Sequence, residues 1–79
     1  MIHLVIAKVD EVLFEGQAIS LTVPGVDGDM TVLGHHMPLI TTLKPGIALV
    51  RVAPNAEPKT FPISGGVLEV RQGGATVIL

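Results

Sequence analysis

The stretch Val26-Asp-Gly-Asp-Met-Thr-Val-Leu-Gly-His-His-Met-Pro-Leu-Ile-Thr-Thr-Leu-Lys-Pro-Gly46 decides how this 79-residue sequence is read. Its turn residues and short apolar runs alternate too quickly for a helix. Asp27-Gly28 is a tight-turn dipeptide. Met30 to Leu33 and Leu39 to Leu43 read as short strands, the second closed by Pro45-Gly46. A second block, Ile63-Ser-Gly-Gly-Val-Leu-Glu-Val70, repeats the design, with Ser64-Gly65-Gly66 between two strands. Neither block holds a recognisable catalytic set. Both place polar residues at corners between strands, as a docking module does.

Outward from these blocks the same texture continues. Ile2 to Val9 is an apolar run broken by His3 and Lys8, and reads as a strand. Asp10-Glu11 is expected to turn, with Val12 to Phe14 a short strand before Gly16. Ala18 to Val23 alternates, with Ile19, Leu21 and Val23 on one face and Ala18, Ser20 and Thr22 on the other. Pro24-Gly25 ends it. Ile47 to Val52 alternates again, with Arg51 on the Ile47/Leu49 face. Ala53 to Pro58 is a polar loop. Lys59 to Ile63, Val67 to Val70 and Ala75 to Leu79 are strands, the last two joined by Gly73-Gly74. Many short strands at near-regular spacing predict an all-β sandwich or flattened barrel.

Composition narrows the function classes. A chain of this length is one domain, and it buries only about 60% of its unfolded surface. It has no cysteine, so disulfides and thiolate metal sites are excluded. The apolar fraction of 48% and mean hydropathy of +0.63 are high for a small domain. An exposed apolar interaction surface is therefore expected. Net charge is −2, from five basic and seven acidic residues, with no basic stripe for nucleic acid. Phe14 and Phe61 are too few for a base-stacking platform. No apolar run reaches the roughly 20 residues of a membrane helix. Met1 to Ile6 lacks the basic start and cleavage site of a signal peptide, so a cytoplasmic location is the expectation.

Each candidate chemistry meets a plainer reading. Asp27-Gly28-Asp29 begins like a calcium loop, but the twelfth position is Pro38 rather than a bidentate glutamate. His35-His36 would point to opposite faces of an extended segment, so an interface histidine is preferred to a metal ligand. Ser64 lacks the preceding glycine and following helix of a nucleophile elbow. Gly65-Gly66 and Gly73-Gly74 open no helix and carry no phosphate-loop pattern. The acidic residues form no evident acid–base pair. Lys44 raises the lipoyl or biotinyl carrier class, but those domains show their lysine at a hairpin tip between other neighbours. No cofactor or metal is expected.

Five co-linear segments carry a family resemblance: Phe14-Glu-Gly16; Gly25-Val-Asp-Gly-Asp-Met-Thr-Val32; His36-Met-Pro-Leu-Ile-Thr-Thr-Leu-Lys-Pro-Gly46; Ser64-Gly-Gly-Val-Leu-Glu-Val70; and Ala75-Thr-Val-Ile-Leu79. Together they resemble the N-terminal β-domain of the ε subunit of F-type ATP synthase, over the whole chain. Asp29 stands where the family usually has Glu, Thr31 where it has Gly, Gly34-His35 where a Pro-Gly-like pair is usual, and Met37 where it has Ala.

The resemblance implies a flattened barrel of two five-stranded sheets and a non-catalytic central-stalk role. It implies docking on the γ subunit and the c-ring, so that ion flow is coupled to ATP synthesis. It places Asp27, Gly28, Asp29 and Met30 toward the c-ring, with Asp29 as the charged contact. His36, Met37 and Thr41 are placed toward γ, and Pro45, Gly46, Gly65 and Gly66 serve as structural turns. The implied location is the cytoplasmic face of a bacterial inner membrane, peripherally bound. Family members usually continue into a C-terminal helical hairpin. These 79 residues end with the β-domain, as a truncated or a naturally short subunit would, so the hairpin's inhibitory and ATP-binding properties are not expected of them. Carrier domain and stand-alone enzyme are the competing classes.

Overall fold

In the computed structural model, which describes residues 1–34 and 38–79, every regular element is a strand. The nine strands are β1 (Ile2–Lys8), β2 (Glu11–Ala18), β3 (Ser20–Gly25), β4 (Gly28–Val32), β5 (Leu39–Leu43), β6 (Gly46–Arg51), β7 (Lys59–Ile63), β8 (Gly66–Arg71) and β9 (Gly74–Ile78). Their burial alternates as the sequence predicts. In β1, Ile2, Leu4 and Ile6 are buried while His3 is exposed; in β6, Ala48 and Val50 are buried while Ile47 and Leu49 are exposed. Period-two patterning sends alternate side chains to opposite faces, so each strand has one apolar side to bury.

The strands follow one hydrogen-bonded path, β2-β1-β9-β8-β5-β3-β6-β7, with β4 added to the other edge of β3. The expected pair of five-stranded sheets is thus modified. One wing has five strands (β2-β1-β9-β8-β5) and the other four (β4-β3-β6-β7), and the two are joined through β3. The joint has a local cause. β3 pairs with β6 over Ser20–Thr22 and then meets β5 only at Gly25↔Leu43. The change of partner falls at Val23-Pro24, and proline has no N–H to continue a ladder.

The two ends of the path come back together. Phe14 on β2 and Phe61 on β7, the only aromatics in the chain, meet edge to face with centroids 6.2 Å apart and planes at 69°. Side chains rather than a hydrogen-bond ladder therefore bring the two end strands into contact, in the geometry aromatic rings prefer. All nine strands contribute to one core, which includes Leu21, Val23, Val50, Leu68 and Val77 with no exposure at all. No polar or charged residue is buried among the described residues. The all-β flattened barrel expected from the sequence is the fold observed.

Boundaries moved in several places. The turns expected at Asp27-Gly28 and Gly73-Gly74 fall one residue earlier, at Val26-Asp27 and Gln72-Gly73, because Gly28 pairs with Gly25 and Gly74 with Arg71. The first turn is Val9-Asp10, not Asp10-Glu11, because Lys8 pairs with Glu11. The register then slips, Ile6 pairing with Phe14 and Ala7 with Val12, which leaves Leu13 as a bulge. Ala18 to Val23 is not one strand either. β2 runs on through Ala18, and the chain turns at Ile19, whose N–H donates to the Arg51 carbonyl at 2.7 Å. Ala18 consequently ends up fully buried, not on the outer face with Ser20 and Thr22.

Candidate docking surface

The β3–β4 hairpin projects from one end of the barrel. Gly25 pairs with Gly28, so the loop is only Val26-Asp27. Among the described residues no non-glycine residue has positive φ; in this hairpin the positive value falls on Gly28, at 127°. The β3–β4 ladder runs without a register shift to this residue, and a φ of that value is one that L side chains rarely adopt, which explains why glycine suits position 28. Val26, Asp27, Gly28 and Asp29 are all exposed.

The tip is exposed but braced. Val26 N–H donates to the Thr42 carbonyl at 3.1 Å, and Lys44 N–H donates to the Pro24 carbonyl at 2.9 Å. The end of β5 thus holds the β3 side of the hairpin, on either side of Gly25. Glycines make the close approach possible. A Cβ on Gly25 would stand 2.8 Å from the Gly28 carbonyl oxygen, and one on Gly46 would stand 2.9 Å from Pro24 Cγ. Pro45-Gly46 therefore packs the β5–β6 connection against the root of the hairpin. On the outer face, the Thr22 and Thr31 hydroxyls share a hydrogen bond of 3.0 Å across the ladder. The hydroxyl of Thr31 thus has a specific partner where the ε pattern has glycine.

Strand register sorts the expected ring-facing residues. Asp29 lies opposite Pro24 and is exposed; Met30 lies opposite Val23, is half-buried and packs against the core. Asp27, Gly28 and Asp29 are therefore presented together, whereas Met30 supports the hairpin from inside. Thr41 pairs with the buried Leu68 and is half-buried, while its neighbours Ile40 and Thr42 are exposed. Ile40 is the apolar residue that β5 shows outward, at 72% exposure. His36 and Met37, with His35, lie outside the described residues.

Gly46 and Gly66 are the first residues of β6 and β8. Gly65 and Gly66 have φ of 140° and 143° in the β7–β8 connection, and a Cβ on Gly66 would collide with the Ile78 carbonyl oxygen. Ser64 is exposed at this corner, with a strand on either side. Lys44 is also exposed, but β5 and β6 are not paired with each other. It occupies a crossover and not the hairpin tip a carrier lysine requires. Among the described residues, no three His, Cys, Asp or Glu side chains cluster as a metal site would need.

All 79 residues match the model of the ATP synthase Delta/Epsilon chain β-sandwich domain. The chain belongs to that family. Among its relatives, an ATP synthase epsilon chain 2 from Burkholderia orbicola is 39% identical over 73 residues, covering 92% of this chain and 48% of the relative. The epsilon chain of Delftia acidovorans is 35% identical over 77 residues, covering 98% and 55%. This chain spans about half the length of the curated relatives it matches. In three dimensions it superposes on a chain of the Euglena gracilis mitochondrial ATP synthase, seen by cryo-electron microscopy with OSCP, F1 and c-ring. The TM-score is 0.85 at 28% identity, covering 98% of this chain and 49% of that one. A chain from the Tetrahymena thermophila mitochondrial ATP synthase central stalk and c-ring shares the fold, with a TM-score of 0.81 at 12% identity, covering 98% and 61%.

Proposed function

We propose that this Delta/Epsilon-family chain is a non-catalytic rotor element of a rotary ATP synthase. It docks on the γ shaft and on the polar loops of the c-ring and helps couple ion translocation to ATP synthesis. The observation that carries this reading is the β3–β4 tip. It is exposed, acidic at Asp27 and Asp29, and held by backbone hydrogen bonds to β5. A stiff charged tip suits a torque-bearing contact, because little conformational freedom is lost when it binds.

The ring contact is assigned to Asp27, Gly28 and Asp29, with Met30 anchoring the hairpin to the core. The shaft contact is assigned to the segment from His36 through Met37 to Thr41, with Ile40 as its exposed apolar member. β5 meets β3 at one residue pair only, so most of that edge has no strand partner among the described residues. No described helix is long and apolar enough to cross a membrane. Attachment is peripheral, through the ring, at the cytoplasmic face of a bacterial inner membrane.

Asp29→Lys tests the assignment. Its carboxylate is exposed, so the exchange should leave the melting temperature unchanged while lowering the ratio of proton pumping to ATP hydrolysis in membranes carrying the variant. An unchanged pumping ratio contradicts the proposed ring contact.

A further inference from the structure

The dipeptide at the β3–β4 tip occurs a second time. Val9-Asp10 forms the two-residue turn between β1 and β2, as Val26-Asp27 does between β3 and β4. Strand register puts both turns at the same end of the barrel. Gly25 pairs with Leu43, Leu43 with Gly66, Val67 with Ile78, Ile78 with Ala7, and Lys8 with Glu11. Each of these residues is at an end of its strand or one residue from it, so the row marks a single rim. The turns are four strand spacings apart, roughly 19 Å along the curved sheet.

Neither valine is explained by packing. Val9 is 100% exposed and Val26 is 51% exposed. Tight turns favour Gly, Asn, Asp, Pro and Ser for backbone reasons, and a β-branched residue has no such advantage. One exposed valine is unremarkable on any surface. The same apolar–acidic pair, in the same kind of turn, twice on one rim, is a pattern.

We propose that Val9-Asp10 is a second ring-docking prong equivalent to Val26-Asp27, so that the domain engages two copies of one polar loop in a ring of identical subunits. This inference rests on the ring-docking reading above. Two prongs of the same chemistry match a partner that shows the same surface repeatedly. A single asymmetric shaft does not do so. A second copy of this chain would oppose acidic tips to acidic tips, and an anionic lipid surface would repel Asp10 and Asp27 alike. In each prong the valine enters an apolar notch of the loop and the aspartate meets a cationic or N–H-donating group beside it.

The test uses purified c-ring in detergent, without the shaft subunit, and measures binding of the chain and of Val9→Ser, Val26→Ser, the double variant and Ile40→Ser. Each single prong variant should bind about fivefold more weakly, and the double variant more weakly than either. Ile40→Ser should bind the ring like the unsubstituted chain, and all melting temperatures should agree for the two tip variants. If the unsubstituted chain binds and Val9→Ser binds equally well, the second prong is overturned while ring docking stands. It is likewise overturned if, in a parallel assay on the isolated shaft subunit, Val9→Ser weakens shaft binding while its ring binding is unchanged. Absence of ring binding by the unsubstituted chain overturns the ring-docking reading, and this inference with it.

Discussion

Glycines at the turns differ sharply in what they are for. Gly73 has φ of 75° with nothing within 4 Å of a built Cβ, whereas Gly66 has φ of 143° and faces the Ile78 carbonyl. Gly73→Ala therefore meets backbone strain alone, about 1–2 kcal/mol. Gly66→Ala adds a backbone collision that no side-chain movement relieves, and should cost at least about 2 kcal/mol more. Chemical denaturation of the two variants measures the difference directly. Equal destabilisation would show that the β7–β8 corner relaxes. At the same scale, Thr31→Gly should cost about 1 kcal/mol by removing the hydroxyl pair with Thr22 and a favourable strand residue.

The β3–β4 hairpin behaves as an element because its neighbours hold it. Gly46→Val would drive a branched side chain into Pro24 and displace the β5–β6 connection from the hairpin root. Amide exchange at Val26 and Lys44, whose N–H groups bond across this junction, should then speed up while exchange in β1 and β9 stays slow. Uniform acceleration throughout the barrel would mean that the tip is not a separately braced unit. Much of this element was legible in the sequence. Asp27-Gly28 marks the turn to within one residue, and the alternation of Leu21 with Val23 marks the buried face. The Ile19 corner was not legible, because Ala18 to Val23 continues a period-two pattern through it. Only the long-range bond from Ile19 to Arg51 shows why the chain turns there. The bulge at Leu13 was hidden for a similar reason, since register is a property of two strands together. Met30 shows the limit for the site: the motif places it in the turn, but pairing with Val23 sends its side chain to the core. The Val-Asp repetition was visible as letters, yet only the register puts the two copies on one rim.

At the scale of the whole molecule, stability rests on one apolar core and on contact between the ends of the strand path. Leu21 and Leu68 are fully buried in opposite wings, so Leu→Ala at either should cost about 2–5 kcal/mol and lower the melting temperature of the whole domain. Phe61→Ala removes a half-buried ring and its edge-to-face partner, and a loss of about 2 kcal/mol is expected. The burial that stabilises the barrel leaves its outer faces apolar at Ile40, Ile47 and Val67. A high apolar fraction in so small a chain is therefore accounted for partly by core and partly by surface.

The central claim, that this domain docks on a rotor through its acidic hairpin tip, is tested most directly by capture on a purified γ–c-ring assembly. The chain should be retained in stoichiometric amount, and Asp29→Lys should be retained about tenfold more weakly with an unchanged melting temperature. Failure to retain the unsubstituted chain, or equal retention of Asp29→Lys, would contradict it.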